Sequence, residues 1–176
     1  MYGQKLWIWT MLVWTLKCTD KMSSPFPQLA FPNYDFRFKK NGDKISVFDE
    51  LRKKWLVCTP EEWVRQNLVK YLINELNYHA SLIALEKGLS IAGREYRFDA
   101  LVYNREFKPL LIIECKAPEI KLQQKVFDQI WEYNHKINAP YFLVTNGLGF
   151  IMGKVSQQKG VEYFSKPVDF DELLSL

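Results

Sequence analysis

One stretch constrains this 176-residue chain more than any other: Leu110-Leu111-Ile112-Ile113-Glu114-Cys115-Lys116-Ala117-Pro118. Its leading residues form a short apolar run of the kind that becomes a buried strand, yet an acid and a base interrupt it two positions apart. Side chains alternate along a strand, so Glu114 and Lys116 share one face while Ile113 and Cys115 share the other. Upstream, Arg97-Phe98-Asp99-Ala100-Leu101-Val102-Tyr103 and the polar, proline-containing connection Asn104 to Pro109 complete an antiparallel hairpin. Pairing Tyr103 with Leu110 sets Asp99 directly opposite Glu114, with Cβ atoms about 4.5–5.5 Å apart. Like charges so placed repel unless one is protonated or a cation lies between them. Two carboxylates with no histidine or thiolate on their face suit a hard divalent cation, Mg²⁺ first and Mn²⁺ as a substitute.

The rest of the chain frames that hairpin. Its length allows one domain with a real core. A net charge of +4 is only a slight lean toward anionic partners. Cys18, Cys58 and Cys115 are odd in number and lack C-x-x-C spacing, so they indicate neither a disulfide framework nor a zinc site and suit a reducing cytoplasm. Leu6 to Leu16 is apolar but far short of the ~20 residues that span a bilayer, and no small-residue cleavage site follows it. Lys17 stands where a lipoprotein would need a small residue before Cys18, and Met22 offers an alternative start. Residues 1–21 are therefore read as an N-terminal extension that need not belong to the fold, with no membrane association; a secreted or anchored form is the alternative.

Tyr34-Asp35-Phe36-Arg37-Phe38 and Lys44-Ile45-Ser46-Val47-Phe48 alternate on either side of Asn41-Gly42, a hairpin signal, and Trp55-Leu56-Val57-Cys58 supplies a third strand. This arm, residues 22–58, is basic, fitting either a phosphate backbone or a merely solvated face. Thr59-Pro60-Glu61-Glu62 then opens a helix, with Thr59 as N-cap, Pro60 at the first helical position and Glu62 completing a capping box. Val64, Leu68, Leu72 and Leu76 mark its buried side, and the helical period puts Glu61 and Arg65 in the same sector. A second helix is expected from Lys121 to Ile137, with Gln129 and Tyr133 at the border of its apolar face. Ser81 to Glu86, Tyr141 to Thr145, Phe150 to Met152 and Val161 to Phe164 read as strands, and Asp169 to Leu176 as a short helix or tail.

Asp99, a fourteen-residue spacer and Glu114-Cys115-Lys116 resemble the PD-(D/E)xK nuclease signature, with Phe98 in place of the nominal proline. Thr59 to Gln66, Ile112 to Pro118, Gln129 to Asn134, Ala139-Pro140-Tyr141 and Thr145-Asn146-Gly147 together look like the N-terminal nuclease domain of type I restriction enzyme R subunits, in its small stand-alone bacterial form. The likeness covers Pro27 to Phe164. It implies an α/β restriction-endonuclease-like core, a central mixed sheet flanked by helices, over residues 59–176. It further implies that Asp99 and Glu114 hold Mg²⁺, with Glu61 completing the site and Glu62 as its substitute. Lys116 would steady charge on the reacting phosphate, and Gln129 and Tyr133 would lie beside the metal. DNA is the implied substrate, and a helicase or another restriction subunit an implied partner; oligomeric state is left open.

Three alternatives stand beside this reading. The fold could serve as a non-cleaving DNA-binding or restriction-complex module, or the site could hydrolyse a small phosphoester in a deep pocket. Glu114 and Lys116 could also be only an intrastrand salt bridge at a sheet edge, as Glu61 and Arg65 could be only an intrahelical pair.

Overall fold

A computed structural model describes residues 26–85, 88–91, 94–123, 134, 137–156 and 160–176. The alternation around Asn41-Gly42 becomes a three-stranded antiparallel sheet of β1 (Phe38–Asn41), β2 (Lys44–Asp49) and β3 (Lys54–Val57). Gly42 sits in the β1–β2 turn at φ 58°, a conformation glycine reaches without a Cβ clash. Tyr34 to Arg37, expected in the first strand, precede it. Phe38, Val47 and Leu56 are cross-strand partners and so share one face. That face is built onto the first helix through aromatic rings: Phe26 and Phe36 each lie 4.9 Å, centroid to centroid, from Trp63.

Helix α1 (Pro60–Glu75) begins where its capping signal places it, and the Thr59 hydroxyl accepts the Glu62 N–H at 3.1 Å. Val64, Leu68 and Leu72 are buried as the helical period requires, and Leu76 caps the helix half-buried. Beyond it, the strand expected from Ser81 is shorter than the sequence suggests. Ala80–Leu82 forms a 3₁₀ turn and only Ile83–Leu85 (β4) is extended. Gly88–Ile91 (β5) and Arg94–Arg97 (β6) form a separate antiparallel hairpin.

The main sheet has six strands in the order β11-β10-β9-β8-β7-β4. It is made of β4, β7 (Ala100–Tyr103), β8 (Pro109–Cys115), β9 (Tyr141–Thr145), β10 (Phe150–Ser156) and β11 (Gly160–Phe164). Its β8–β9 pair is parallel and the other pairs are antiparallel, so the sheet is mixed. A parallel pair needs a crossover connection, which is where the second helix is expected. Residues 121–123 are not helical, contrary to a helix from Lys121; Asn134 and Ile137 are helical, and 124–133 and 135–136 lie outside the described residues.

The β7–β8 register is the expected one for Ala100↔Ile113, Leu101↔Ile112 and Val102↔Leu111. It then slips, and Tyr103 faces Pro109 instead of Leu110. The slip has a local cause. Pro109 has no N–H for the ladder, and the Asn104 side chain gathers the loop by accepting the Glu106 and Lys108 amides at 3.0 and 2.9 Å.

One core lies between the sheet and α1, where Val64, Leu68 and Leu72 meet Leu111, Ile113, Cys115 and Leu143. The short helix α2 (Phe170–Ser175), capped by Asp169, adds Phe170 and Leu173 to this same core. The opposite face of the sheet carries Phe98, Leu101, Ile112, Phe142 and Val144 against Ile137 and Ala139. Both helices spanned by described residues therefore serve the first core, and the helix expected on the second face is the one outside the description. No helix among the described residues is long and apolar enough to cross a membrane.

Truncating Leu143, 1 % exposed at the centre of the sheet, is expected to cost about 2–5 kcal/mol, against about 1 kcal/mol for removing the cap with Thr59→Ala. Urea unfolding of the two variants measures the difference, and similar losses would contradict the assigned core.

Candidate active site

The chain places its charges where β8 ends. Along the strand Ile112 and Ile113 are 1 % and 0 % exposed, so both faces are closed to charge there. Glu114, still buried, comes next, and Lys116 follows just past the strand. The Lys116 N–H donates to the Thr145 carbonyl at 2.8 Å, extending the pairing with β9 by one step. The Lys116 ammonium turns to the same side as Glu114 and donates to its Oε1 at 2.6 Å. Since β8 lies between β7 and β9, this pair stands inside the sheet and not at its edge, and the ion pair that the alternative reading expected is formed.

Asp99 lies immediately before β7, one step beyond the Ala100↔Ile113 pair and therefore level with Glu114. Its Oδ2 accepts the Cys115 N–H at 2.6 Å, which ties the two strand ends together. Its Oδ1 accepts Arg65 Nη2, also at 2.6 Å. Asp99, Glu114 and Lys116 are thus brought together.

Helix α1 contributes a glutamate on each side of this cluster. The Glu61 side chain is 45 % exposed and 3.4 Å from Arg65, against 7 % exposed for Glu62. Sequence periodicity put Glu61 and Arg65 together in the buried sector; Arg65 is buried and Glu61 is half in solvent. Glu61 is nonetheless near enough for its negative charge to act on both Glu114 and Lys116. Glu62 turns away from it. Its carboxylate accepts Arg52 and Gln66 at 2.8 Å each and also pairs with Arg65. The capping box is consequently only half formed. Two guanidiniums are stronger partners than a neutral amide, and the Thr59 N–H donates to the Val57 carbonyl instead. Gln129 and Tyr133 lie outside the described residues.

The contacts of Glu62 disclose a chain of alternating charge that the sequence did not announce. Asp49, at the end of β2, accepts Arg52 Nε and Gln66 Nε2 at 2.7 Å each. Arg52 reaches Glu62, Glu62 pairs with Arg65, and Arg65 reaches Asp99. Burial raises the Asp49 carboxyl, but its hydrogen bonds from Arg52 and Gln66 together hold it below the usual range. The signal for this network was Arg65 in the inward sector of an acidic helix start; Gln66 lies on the other side of the helical period, and nothing in the spacing named it, Arg52 or Asp49 as partners.

Glu114 shows the opposite effect. Burial, and then the charge of Asp99, push its carboxyl up to about 7; Lys116 pulls the other way and Glu61 adds to the rise. Burial works against the Lys116 ammonium, but its hydrogen bond and charge pairing with Glu114 prevail and its pKa is raised. The lysine is therefore a fixed positive charge at neutral pH, unsuited to act as a base. Among the described residues no group of three or more His, Cys, Asp and Glu is drawn together as a ready metal cage. The oxygen donors that converge are Asp99 and Glu114, with Glu61 at the rim.

The sequence profile of the Type I restriction enzyme R protein N terminus (HSDR_N) matches residues 60–167, which include this whole cluster. No curated protein matches the chain. Among solved structures, a fragment from Vibrio vulnificus YJ016 assigned to the HsdR subunit of a type I restriction enzyme superposes with a TM-score of 0.53 at 18 % identity. The match covers 67 % of this chain and 25 % of that one. The type IIG restriction endonuclease BpuSI aligns at 21 % identity and a TM-score of 0.34, over 66 % of this chain and 14 % of that one. The chain thus spans about a quarter of the HsdR fragment's length.

Two outcomes are expected of the isolated protein in chelator. Between about pH 4.5 and 7 the folded Glu114 keeps a proton that the unfolded chain releases, so stability conferred by the protonated group is lost as pH rises through that window. A pH series of thermal melts should show a flatter profile for Glu114→Gln than for the wild type, and parallel profiles would contradict the placement of Glu114. Arg65→Met leaves Asp99 and Glu62 buried without their shared cation and is expected to cost about 3–5 kcal/mol in denaturant unfolding.

Proposed function

Because the chain belongs to the family of type I restriction enzyme R protein N-termini, we propose that it is a Mg²⁺-dependent DNA endonuclease on a restriction-endonuclease-like core. One observation carries the reading: two buried carboxylates from adjacent strand ends meet beside a fixed ammonium, and their mutual repulsion helps push Glu114 up to about 7. Such crowding of oxygen donors, with no sulfur or imidazole among them, fits a hard divalent cation in kind. Asp99 and Glu114 would hold it and Glu61, at the rim, would complete its protein ligands; Mn²⁺ could substitute. When bound, the ion supplies a coordinated water of lowered pKa and neutralises charge on the scissile phosphate.

The remaining chemistry belongs to the chain. Arg65 and the Cys115 N–H hold the Asp99 carboxylate from two directions, so its orientation is set before substrate arrives. Lys116 stays protonated beside Glu114 and offers its positive charge to the phosphate oxygens as they gain negative charge. Residues 59–176 are proposed as the nuclease core and 22–58 as an arm upon it. In a type I system the partners would be DNA and a helicase or another restriction-system subunit.

A second reading has its own observation. Arg65 and Lys116 already pair with Asp99 and Glu114, and a domain that binds DNA or another subunit without cutting would need no further cation.

Purified protein with Mg²⁺ or Mn²⁺ should nick or cut DNA, and Asp99→Ala, Glu114→Ala and Lys116→Ala should each reduce the rate by at least about 10²-fold, the scale of losing one preorganised charge. Calorimetric titration separates the two readings. Divalent-ion binding that disappears in Asp99→Ala supports the metal site, whereas a wild type that binds DNA but neither binds Mg²⁺ nor cuts would leave the non-cleaving module.

A further inference from the structure

The three-stranded sheet has a second face that the core does not use. Alternation puts Phe38, Val47 and Leu56 toward Trp63, so Arg37, Phe48 and Trp55 form a cross-strand row on the other side. The Arg37 carbonyl accepts the Phe48 N–H at 2.9 Å, which fixes Arg37 in that row although it precedes β1. Lys39, Ser46 and Val57 make the next row, and Lys44 stands across from Asn41 in the third. Arg37, Lys39 and Lys44 are exposed, and so are Trp55 and Val57. The ladder puts no acid on this face: Asp49 points inward and is held by Arg52 and Gln66, while Asp43 lies in the turn and Asp35 ahead of the strand.

The rings on this face are not bare. The Arg37 guanidinium lies 3.7 Å from the Phe48 centroid, the Lys39 ammonium lies 4.8 Å from that of Trp55, and the two rings meet edge to face at 5.3 Å. A ring covered by its own cation is a poor platform for a nucleic-acid base. It is well suited to holding that cation in place, since a long basic side chain restrained by a ring loses less freedom when it meets an anion. Three cations on a face whose paired rows carry no acid complement a row of phosphates.

We propose that this outer face of the three-stranded sheet is a docking surface for the phosphate backbone of duplex DNA, with Phe48 and Trp55 serving to pre-order Arg37 and Lys39. The proposal rests on the reading of DNA as substrate and assigns the arm the part of positioning the duplex without reading its sequence.

The test is binding of the full chain to fluorescent duplex and single-stranded DNA across a salt series in chelator, so that cleavage plays no part. Arg37→Gln, Lys39→Gln and Lys44→Gln keep their exposed stems, and circular dichroism checks that each variant is folded. Each should reduce the slope of log affinity against log salt on duplex by about 0.9, while Lys166→Ala, away from this face, should not. Trp55→Leu should weaken duplex binding a few-fold at unchanged slope. Wild-type slopes retained by all three cation variants would overturn the docking surface and leave DNA as substrate untouched. Loss in Trp55→Leu confined to single strands would overturn it in favour of base stacking. A wild type that binds no DNA at any salt would sink both this surface and the nuclease reading.

Discussion

The site depends on Arg65. A carboxylate as buried as Asp99 is costly unless something positive meets it, and Arg65 does so while also pairing with Glu62, itself held by Arg52. The charges alternate from Asp49 to Asp99, so each ion inside the row is answered on both sides, and the row spans from the three-stranded sheet through α1 to the start of β7. Such a row contributes little net stability, because desolvation offsets most of the attraction. What it does is fix position. Asp99 accepts Arg65 at one oxygen and the Cys115 amide at the other, so the two strand ends cannot drift apart without breaking that buried amide–carboxylate hydrogen bond.

The location of the charged cluster follows from the burial of β8. A strand covered on both faces must be apolar along its middle, and polar chemistry becomes affordable only where a neighbour ends or a helix start opens the layer. In this fold that point is the carboxyl end of β8, beside the first turn of α1 and the start of β7. Three segments distant in sequence contribute there, and the arrangement sets Glu114 in conflict with Asp99 while giving it Lys116 as a partner. Charge crowding of this kind is uncommon in a purely structural network, which usually settles each ion with an opposite one, as the Asp49 to Arg65 row does.

How much of this was legible differs residue by residue. The hairpin, its register at Ala100 to Val102 and the shared face of Glu114 and Lys116 followed from alternation alone, because a strand has one periodicity and one buried face. The slip at Tyr103 did not, since it depends on how Asn104 folds the loop and on the missing amide of Pro109. The choice between Glu61 and Glu62 was equally hidden. Both begin the same helix turn, and their fates diverge because Arg52, on a different element, draws Glu62 toward the three-stranded sheet and leaves Glu61 at the rim of the site.

Local periods could be read along the chain: where α1 is capped, which strands pair as hairpins, and which side chains share a face. These depend on dihedral preference and side-chain alternation, which act over a few residues. Only the tertiary structure decided which charges meet. A guanidinium can bridge any acids that packing brings within about 3 Å, and nothing local in Arg65 says that its partner stands thirty-four positions away at Asp99.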